Sequence, residues 1–387
     1  MTMSDQDVLI INGLRSRSGG SFTHLSHLLR QMDKVETRFD RIILIANRDL
    51  RLGVDNFPWL EKIENTFFDG SVAASVFWEL FLMKKFLSQF GPNAVLLNLD
   101  GNYLGPYVNK TVTMSRDMLS FEPGIMRMYF PSLFWLRLFV IKFTQARAFN
   151  KSTAVIFLTE YARQVISKRA TKVKNAVTIP HGFNHESLSP KIDYRIEGPI
   201  SIVYTSPVWL FKGHLTILKG LEILDSEGIE FDVKFIGQHQ HDNVEKLAFK
   251  RMMQFLEKSD RLKKRVTFLG QMPHADVLSE LRKSDIFIFG SLCENMPNSL
   301  VEAMGMGLPI VAARAGPTHD VGADSVIYYP SQDHQELADR LIELVKSEKA
   351  RRQLGVHAKR RSLYFDWSST CDQTLDCVYK VASQSES

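Results

Sequence analysis

Two successive series of short apolar runs, separated by longer segments with helical spacing, constrain the fold of this chain more than any other feature. Short β-branched and aliphatic runs that alternate with helical segments are typical of parallel sheets built from βαβ units. The first series therefore predicts one doubly wound α/β domain. It comprises residues 8–11, 42–46, 94–97, 111–114, 154–158 and 176–179.

A polar stretch separates the two series. Between residues 182 and 199 the chain contains Pro190 and Pro199 and loses its apolar periodicity, which indicates a linker. We therefore expect two domains, residues 1–185 and 186–365, and a closing helix within residues 366–387 that packs back on the first domain. The second series comprises residues 200–205, 233–237, 266–269, 286–289, 310–312 and 326–329, with a helical pattern at 215–224.

Composition narrows the classes of function. The 387 residues are 44% hydrophobic and 24% charged, which is enough for two folded domains. The net charge of +5 is too small to indicate a nucleic-acid partner, and it fits an anionic ligand or a membrane surface. Three cysteines without a CxxC pair support neither a disulfide framework nor a zinc site, so a reducing cytoplasm is expected. Neither a signal peptide nor a transmembrane run is expected.

The stretch of residues 293–311 has the densest chemical pattern. It follows a predicted strand, turns at Met296-Pro297 and starts a helix near Asn298. Ligands of open α/β sheets bind at the carboxyl ends of strands, and free N–H groups at residues 298–300 can bind a diphosphate. Glu294 and Glu302 can accept hydrogen bonds from sugar hydroxyls. The alternative is that the two glutamates are a helix-start charge and part of a solvated face.

Two other loops join a strand to a helix. Lys212 stands at the start of the helix that follows the first strand of the second series, where its charge can neutralise a leaving diphosphate; the alternative is a surface lysine. In the first domain, residues 13–20 form a glycine-rich connection to a helix near Ser21, in which Gly19 and Gly20 allow backbone to approach a ligand. A simple βα turn is the alternative there.

The segment that starts at Glu294 resembles the signature of glycosyltransferase family 4, in its common form EGxPNxxxEAMxxGxPV. The resemblance implies the GT-B fold, with two Rossmann-like domains facing across a cleft. It also implies that Glu294 contacts the transferred sugar and Glu302 the ribose hydroxyls, although Asn295 replaces the usual glycine. The donor-binding residues implied here are Asn295, Met296, Pro297, Asn298, Ser299, Leu300 and Glu302.

Other segments are similar to elements of the same family. Residues 204–214 look like its GRxxxxKG element, which makes Lys212 the phosphate-binding lysine, but Pro207 replaces the arginine, so Arg314 or Arg116 are candidates to assist it. Residues 114–123 look like a loop of bacterial members, in which Asp117 or Arg116 faces the cleft or turns outward. The resemblance places Gly19 and Gly20 against donor phosphate and acceptor. Further candidates are His181, which has an equally good structural interpretation, Ser206 and Gly270.

No metal or cofactor is expected. The Asp5-Gln6-Asp7 sequence precedes the first strand, and residues 239–242 form an isolated loop cluster of two histidines and an aspartate. Residues 126–150 and 77–90 combine aromatic, aliphatic and basic side chains, a composition that suits a membrane interface and equally well an ordinary buried helix.

The expected function is retaining transfer of a hexose-type sugar from a nucleotide-diphosphate sugar to a glycan or lipid-linked oligosaccharide. The resemblance suggests bacterial surface polysaccharide synthesis, such as lipopolysaccharide or O-antigen, in the cytoplasm or on the inner face of its membrane. One alternative is a sugar-nucleotide epimerase on the same fold, because a fold does not fix its chemistry. A catalytically degenerate scaffold is the other, and the intact glutamate pair argues against it.

Overall fold

The computed structural model describes residues 7–16, 19–34, 38–107, 110–185, 188–238 and 243–384, and of residues 19–21 only the backbone. The chain divides into two compact units. Unit 1 comprises residues 1–182 and 366–387, and unit 2 comprises residues 183–365.

The described residues form the following elements in chain order. The strands are β1 (Val8–Gly13), β2 (Arg41–Ala46), β3 (Leu60–Ile63), β4 (Val95–Asn98), β5 (Thr111–Ser115), β6 (Ala154–Phe157), β7 (Ala176–Thr178), β8 (Ile200–Thr205), β9 (Phe231–Ile236), β10 (Val266–Gly270), β11 (Ile286–Phe289), β12 (Ile310–Arg314) and β13 (Ile327–Pro330). The α-helices are α1 (Gly19–Lys34), α2 (Arg48–Gly53), α3 (Thr66–Asp69), α4 (Val72–Phe77), α5 (Met83–Leu87), α6 (Leu133–Lys151), α7 (Glu160–Ser167), α8 (His214–Ser226), α9 (Asn243–Leu256), α10 (Asp260–Arg265), α11 (His274–Lys283), α12 (Asn298–Gly305), α13 (Thr318–Gly322), α14 (His334–Lys346), α15 (Glu348–Ser362) and α16 (Trp367–Ala382).

Unit 1 is built on a parallel sheet whose described strands lie in the order β3-β2-β1-β4-β5-β6-β7. Strands β1, β4, β5 and β6 are buried along their whole length. Such continuous burial is expected of parallel strands covered on both faces. It suits the apolar runs that begin β1 and β4 and form β6, whereas β5, with the sequence TVTMS, buries threonine and serine as well. Strand order reverses between β1 and β4, which is therefore the topological switch point of this unit.

Strand β3 was missing from the sequence prediction. It is one of the two edge strands described in unit 1, and of its four residues, LEKI, only the leucine is buried. Two charged residues break the apolar run on which the prediction relied. An ion pair joins this strand to its neighbour in place of apolar packing: Nε of Arg41 on β2 lies 2.8 Å from Oε1 of Glu61 on β3.

Unit 2 repeats the design with strands in the order β10-β9-β8-β11-β12-β13, all parallel in the described residues. The reversal of order lies between β8 and β11. Each strand predicted for this unit is present, with bounds shifted by up to two residues. The predicted α/β class, with two parallel-sheet domains, is confirmed.

The C-terminal helix α16 packs on α1 and on strands β4, β5 and β6 of unit 1. The hydroxyl of Thr370 donates a hydrogen bond to the carbonyl of Pro180 at 2.8 Å. Backbone of Trp367 lies so close to Gly182 that any side chain at position 182 would overlap it. In the described part of the chain, no helix combines the length and apolar character that a bilayer crossing requires.

Candidate functional site

The switch point of unit 2 brings together two loops that leave the carboxyl ends of β8 and β11. Ligands of doubly wound sheets bind in the crevice at such a point. The loop after β8 contains a short 3-10 turn, Leu210–Lys212, and the loop after β11 leads through Glu294 to α12. Two of the predicted catalytic residues therefore come from neighbouring strands.

Lys212 and Glu294 form an ion pair across this switch point. The lysine Nζ donates to Glu294 Oε1 at 2.5 Å, and the two side chains are only 13% and 17% exposed. The backbone of Lys212 is held as well, because the hydroxyl of Tyr204 donates to its carbonyl at 2.8 Å. The fold thus holds a cation and a carboxylate next to each other at the carboxyl ends of two strands.

Close backbone packing fixes the two loops against each other. Gly213 has φ 71°, in the left-handed region, and a Cβ there would overlap the carbonyl oxygen of Gly290 at the end of β11. The N–H of Leu292 also donates to the carbonyl of Phe211 at 2.8 Å. Glycine is required at position 213 for both conformation and space, and the sequence analysis did not identify this contact.

Helix α12 begins at Asn298, as predicted, and no side chain caps its first turn. One part of the diphosphate expectation is corrected by the structure. The N–H of Asn298 already donates to the carbonyl of Met296, and that of Leu300 to Pro297, each at 3.0 Å, because the Met296-Pro297 turn tightens the helix start. Of the three N–H groups at residues 298–300, only that of Ser299 has no backbone acceptor among the described residues.

The side chains around this turn differ in exposure. Asn295, Met296 and Leu300 are buried, and Leu300 lies fully in the core. Pro297 is buried, Ser299 is partly buried and Asn298 is exposed. Of the predicted donor-binding set, Leu300 thus offers a ligand no side chain.

Glu302 has an imidazole partner that the sequence did not reveal. Its Oε1 lies 3.2 Å from Nε2 of His274, the first residue of α11. This hydrogen bond raises the pKa of His274 above its ordinary value. The only sequence signal was a histidine at a helix start after the strand that ends at Gly270, which does not indicate a neighbour in α12.

Ser206 follows β8 and Gly270 is the last residue of β10, two strands away in the sheet of unit 2. The Ser206 hydroxyl donates to the carbonyl of Pro207 at 3.0 Å. Gly270 has φ 70° and accepts a hydrogen bond from Gly237 at 2.9 Å. Arg314, at the end of β12, is exposed and stacks over the ring of Tyr328. These three residues flank the switch point of unit 2 and do not contact the Lys212–Glu294 pair in the contacts described.

The candidates in unit 1 lie in a more buried setting. Arg116 follows β5, and burial lowers its pKa to about 10. Asp117 accepts a hydrogen bond from the N–H of Leu119 at 2.9 Å, while burial raises its pKa. His181 is buried with its ring 5.2 Å from that of His24 and 5.7 Å from that of Trp367, which favours its structural interpretation.

Parts of the earlier expectations concern residues whose structure is only partly described. Helix α1 begins at Gly19, so the end of the glycine-rich connection is helical from that residue onward. Residues 17–18 of the connection, Asp5, and the histidine cluster at 239–242 lie outside the described residues. Among the residues that are described, no group of three potential ligands has a metal-binding arrangement.

The switch point of unit 1 holds polar residues that the sequence analysis missed. Asn12 on β1 donates to Asn98 on β4 at 2.9 Å. Beside it, Glu79 is fully buried, and it pairs with Arg15 of the glycine-rich connection at 3.3 Å. Burial raises the pKa of Glu79 to about 7. These groups stabilise the beginning of the connection that follows β1.

Comparisons with known proteins bear on the family and the fold of this chain. Residues 174–361 match the protein-family model described as "Glycosyl transferases group 1". The uncharacterized glycosyltransferase MJ1178 of Methanocaldococcus jannaschii is 25% identical over 241 residues, which are 61% of this chain and 62% of that protein. The GPI3 subunit of the Saccharomyces cerevisiae phosphatidylinositol N-acetylglucosaminyltransferase is 30% identical over 40% of this chain and 33% of its own. The matched regions thus span less than two thirds of these relatives.

Solved structures resemble the whole chain at low sequence identity. Sucrose-phosphate synthase of Thermosynechococcus elongatus superposes with a TM-score of 0.73 and 14% identity over 97% of this chain and 98% of its own. Anabaena Alr3699/HepE, solved in complex with UDP and glucose, gives a TM-score of 0.69 and 16% identity over 96% and 99% of the two chains. The two Rossmann-like sheets and these neighbours show the GT-B fold, and the family match supports a glycosyltransferase.

Proposed function

We propose that this chain is a retaining glycosyltransferase that moves a hexose-type sugar from a nucleotide-diphosphate sugar to a glycan or lipid-linked oligosaccharide. The observation that carries the proposal is the Lys212–Glu294 pair at the switch point of unit 2. A cation and a carboxylate held next to each other at the carboxyl ends of two strands suit a ligand that has an anionic diphosphate and a neighbouring sugar.

In this proposal each residue has a separate role. Without donor, Lys212 and Glu294 neutralise each other. When a donor binds, the Lys212 ammonium contacts the diphosphate, a sugar hydroxyl donates to Glu294, and the ribose hydroxyls donate to Glu302. The Ser299 N–H, at the start of α12 where no side chain caps the helix, would donate to a phosphate oxygen.

The transfer step breaks the bond between the anomeric carbon and the diphosphate oxygen, and the electron pair leaves with the diphosphate. Lys212 stabilises the negative charge that develops there, a contribution that grows in the transition state and therefore raises turnover. The acceptor hydroxyl attacks the same face of the sugar, and the proton it loses ends on the departing phosphate oxygen, whether directly or after a transient stay on a carboxylate. We propose that side chains and amides supply the stabilising charge and that no metal is needed.

Asp117 is the third residue to which we assign a catalytic role, on the acceptor side. Its carboxyl has a raised pKa because it is buried, and it follows β5 beside Arg116. A carboxyl whose pKa lies above the ordinary value is suited to receive a hydroxyl proton transiently. Gly19 and Gly20, at the start of α1, are proposed to let the acceptor and donor phosphate approach backbone.

The biological setting is also a proposal. UDP and UDP-glucose are bound by the HepE neighbour, which supports a hexose donor. We propose a role in bacterial surface polysaccharide synthesis, of the lipopolysaccharide or O-antigen type, on the cytoplasmic face of the membrane. The three cysteines are buried and form no disulfide, which is compatible with a reducing compartment. A sugar-nucleotide epimerase and a degenerate scaffold are the rival functions.

A panel of UDP-, GDP- and dTDP-hexoses tests the proposal. Thermal unfolding identifies the donor, because a bound ligand raises the apparent stability of the folded state. Incubation of that donor with a lipid-linked oligosaccharide acceptor should then release nucleoside diphosphate and give a product whose anomeric configuration equals that of the donor by NMR. An inverted product would contradict retention, an epimerised nucleotide sugar would identify an epimerase, and stabilisation by no member of the panel would indicate a scaffold.

A further inference from the structure

Helix α6 of unit 1 exposes an apolar face. Its buried residues are Leu138, Gln145, Ala148 and Phe149. The opposite side, where a surface helix normally places polar residues, exposes large apolar side chains instead. Leu133 is 86% and Phe143 is 63% exposed, and the other exposed members of this face are Leu136, Phe139 and Val140.

Aromatic rings extend this face into one continuous surface. Phe130, exposed just before the helix, packs on Trp135 with ring centroids 5.3 Å apart. Trp135 stacks on Phe139 at 5.8 Å, and Phe139 contacts Phe143 at 5.0 Å. A contiguous exposed apolar surface of this kind marks an interaction site more often than isolated exposed residues do.

The charges around the face have a single sign. No aspartate or glutamate occurs from residue 123 to residue 159, whereas Arg127, Arg137, Lys142, Arg147 and Lys151 all fall in this interval. Arg137, Arg147 and Lys151 are exposed on α6 itself. Two copies of this face would juxtapose like charges, so a symmetric dimer through α6 is disfavoured.

We propose that the exposed face of α6 lies in the interface of an anionic lipid bilayer. Its aliphatic and aromatic residues would enter the boundary between headgroups and acyl chains, while the basic residues contact lipid phosphates. Charge complementarity selects an anionic membrane as the occupant. The inference rests on the membrane location proposed above, but it requires no step of the transfer reaction.

The other basic and aromatic segment, residues 77–90, provides a matched control. Phe81 is 65% exposed, nearly the same as Phe143, and it lies outside α6 in the π-helical turn Trp78–Leu82. The variants Phe143→Ser and Phe81→Ser therefore remove equal apolar exposure from two places. Because both side chains are mostly in solvent, neither change should alter the fold, and circular dichroism verifies this.

The experiment is flotation with vesicles of phosphatidylcholine alone or mixed with phosphatidylglycerol, at low and high salt. The wild-type chain should float with the mixed vesicles at low salt and less with phosphatidylcholine alone. Phe143→Ser should weaken binding about tenfold, since it removes one large apolar side chain from the interface, and Phe81→Ser should change it less than twofold. The double variant Arg137→Glu/Arg147→Glu should bind more than tenfold more weakly.

Several outcomes would overturn the inference. Wild-type protein that stays at the bottom of the gradient with mixed vesicles would leave a protein partner as the occupant of the face. Equal binding to both vesicle types would contradict the role of the basic residues. Equal losses of binding in Phe143→Ser and Phe81→Ser would contradict the assignment of α6 as the membrane-binding site. Stabilisation of the same variants by a nucleotide sugar, measured separately, keeps a failure here distinct from a failure of the proposed transferase function.

Discussion

Two lysine–carboxylate pairs in unit 2 have nearly the same burial and lie at opposite ends of β11. At the carboxyl end, Lys212 and Glu294 are 13% and 17% exposed. At the amino end, Lys191 and Asp285 are 13% and 16% exposed, with an Nζ to Oδ1 distance of 3.0 Å. Burial and charge alone therefore do not distinguish them.

Their hydrogen bonding does distinguish them. Lys191 also donates to the carbonyl of Ser284 at 2.9 Å, and the second oxygen of Asp285 accepts from the N–H of Ser201 at 3.0 Å. Lys212 and Glu294 make no further side-chain hydrogen bond among the described residues. A buried pair with its groups satisfied stabilises a fold, whereas a pair with unused groups at a strand's carboxyl end is available to a ligand.

The largest expected effect is on turnover. Lys212→Ala should lower kcat about 100- to 1,000-fold, because it removes charge stabilisation of the departing diphosphate. Glu294→Gln should cause a similar loss and relax the choice of sugar. Lys191→Ala should leave kcat per folded molecule within about twofold. Steady-state kinetics with varied donor measure all three, and a loss in Lys191→Ala equal to that in Lys212→Ala would erase the difference between the pairs.

The loop that positions Lys212 should be sensitive to a single methyl group. Gly213→Ala imposes a left-handed φ on alanine and also an overlap with the Gly290 carbonyl, so we expect a loss of roughly 3 kcal/mol in unfolding free energy. Gly228 has φ 75° with open space around it, and Gly228→Ala should cost only about 1 kcal/mol. Urea unfolding compares the two, and equal losses would refute the close approach of the two loops.

The two lysine variants should rank in the opposite order for stability: Lys191→Ala should lower the unfolding free energy more than Lys212→Ala, although Lys212→Ala lowers turnover more. Lys191→Ala removes the donor shared by the Asp285 carboxylate and the Ser284 carbonyl, which should lower the unfolding free energy by about 2 kcal/mol. Lys212→Ala should lower it by less than about 1 kcal/mol, because it removes a single hydrogen bond, the one to Glu294. Chemical unfolding of both variants at one pH is the measurement. A larger loss of unfolding free energy in Lys212→Ala than in Lys191→Ala would indicate that the Lys212–Glu294 pair mainly stabilises the fold.

The smallest predicted effect concerns pH. The pairing with Glu302 raises the pKa of His274, so the pair is strongest below that pKa and is lost as the pH rises through it. A donor whose ribose binds Glu302 must displace protonated His274, and donor affinity should therefore fall a few-fold as the pH decreases from about 8 to about 6. In His274→Gln this dependence should flatten. Affinity that increases on acidification in the wild-type chain would refute the competition.

The sequence predicted unit 2 better than unit 1 for a physical reason. The central strand β11 is a continuous apolar run and β8 is largely one, and Lys212 and Glu294 lie in the loops that follow these strands, so pattern and position coincide. The His274–Glu302 contact joins residues 28 positions apart on different helices. No local period reports such a contact.

Unit 1 was harder to predict because the residues at its switch point and its edge strand belong to no recognisable sequence pattern. Glu79 stands in an aromatic, basic segment that suggested a membrane interface, yet it is fully buried beside Arg15. Strand β3 is stabilised by an edge ion pair and has no apolar run. A charged side chain can be buried only where residues distant in sequence supply an opposite charge or a hydrogen bond. The sequence of one segment does not show those residues.

Calorimetric titration with the nucleotide sugar that most stabilises the protein tests the central claim, which is that unit 2 binds the donor through the loops after β8 and β11. The account predicts at least tenfold weaker binding by Glu302→Ala, a smaller loss by Lys212→Ala, and wild-type affinity for Lys191→Ala. Unchanged affinity in Glu302→Ala and Lys212→Ala, or a loss in Lys191→Ala as large as theirs, would contradict it.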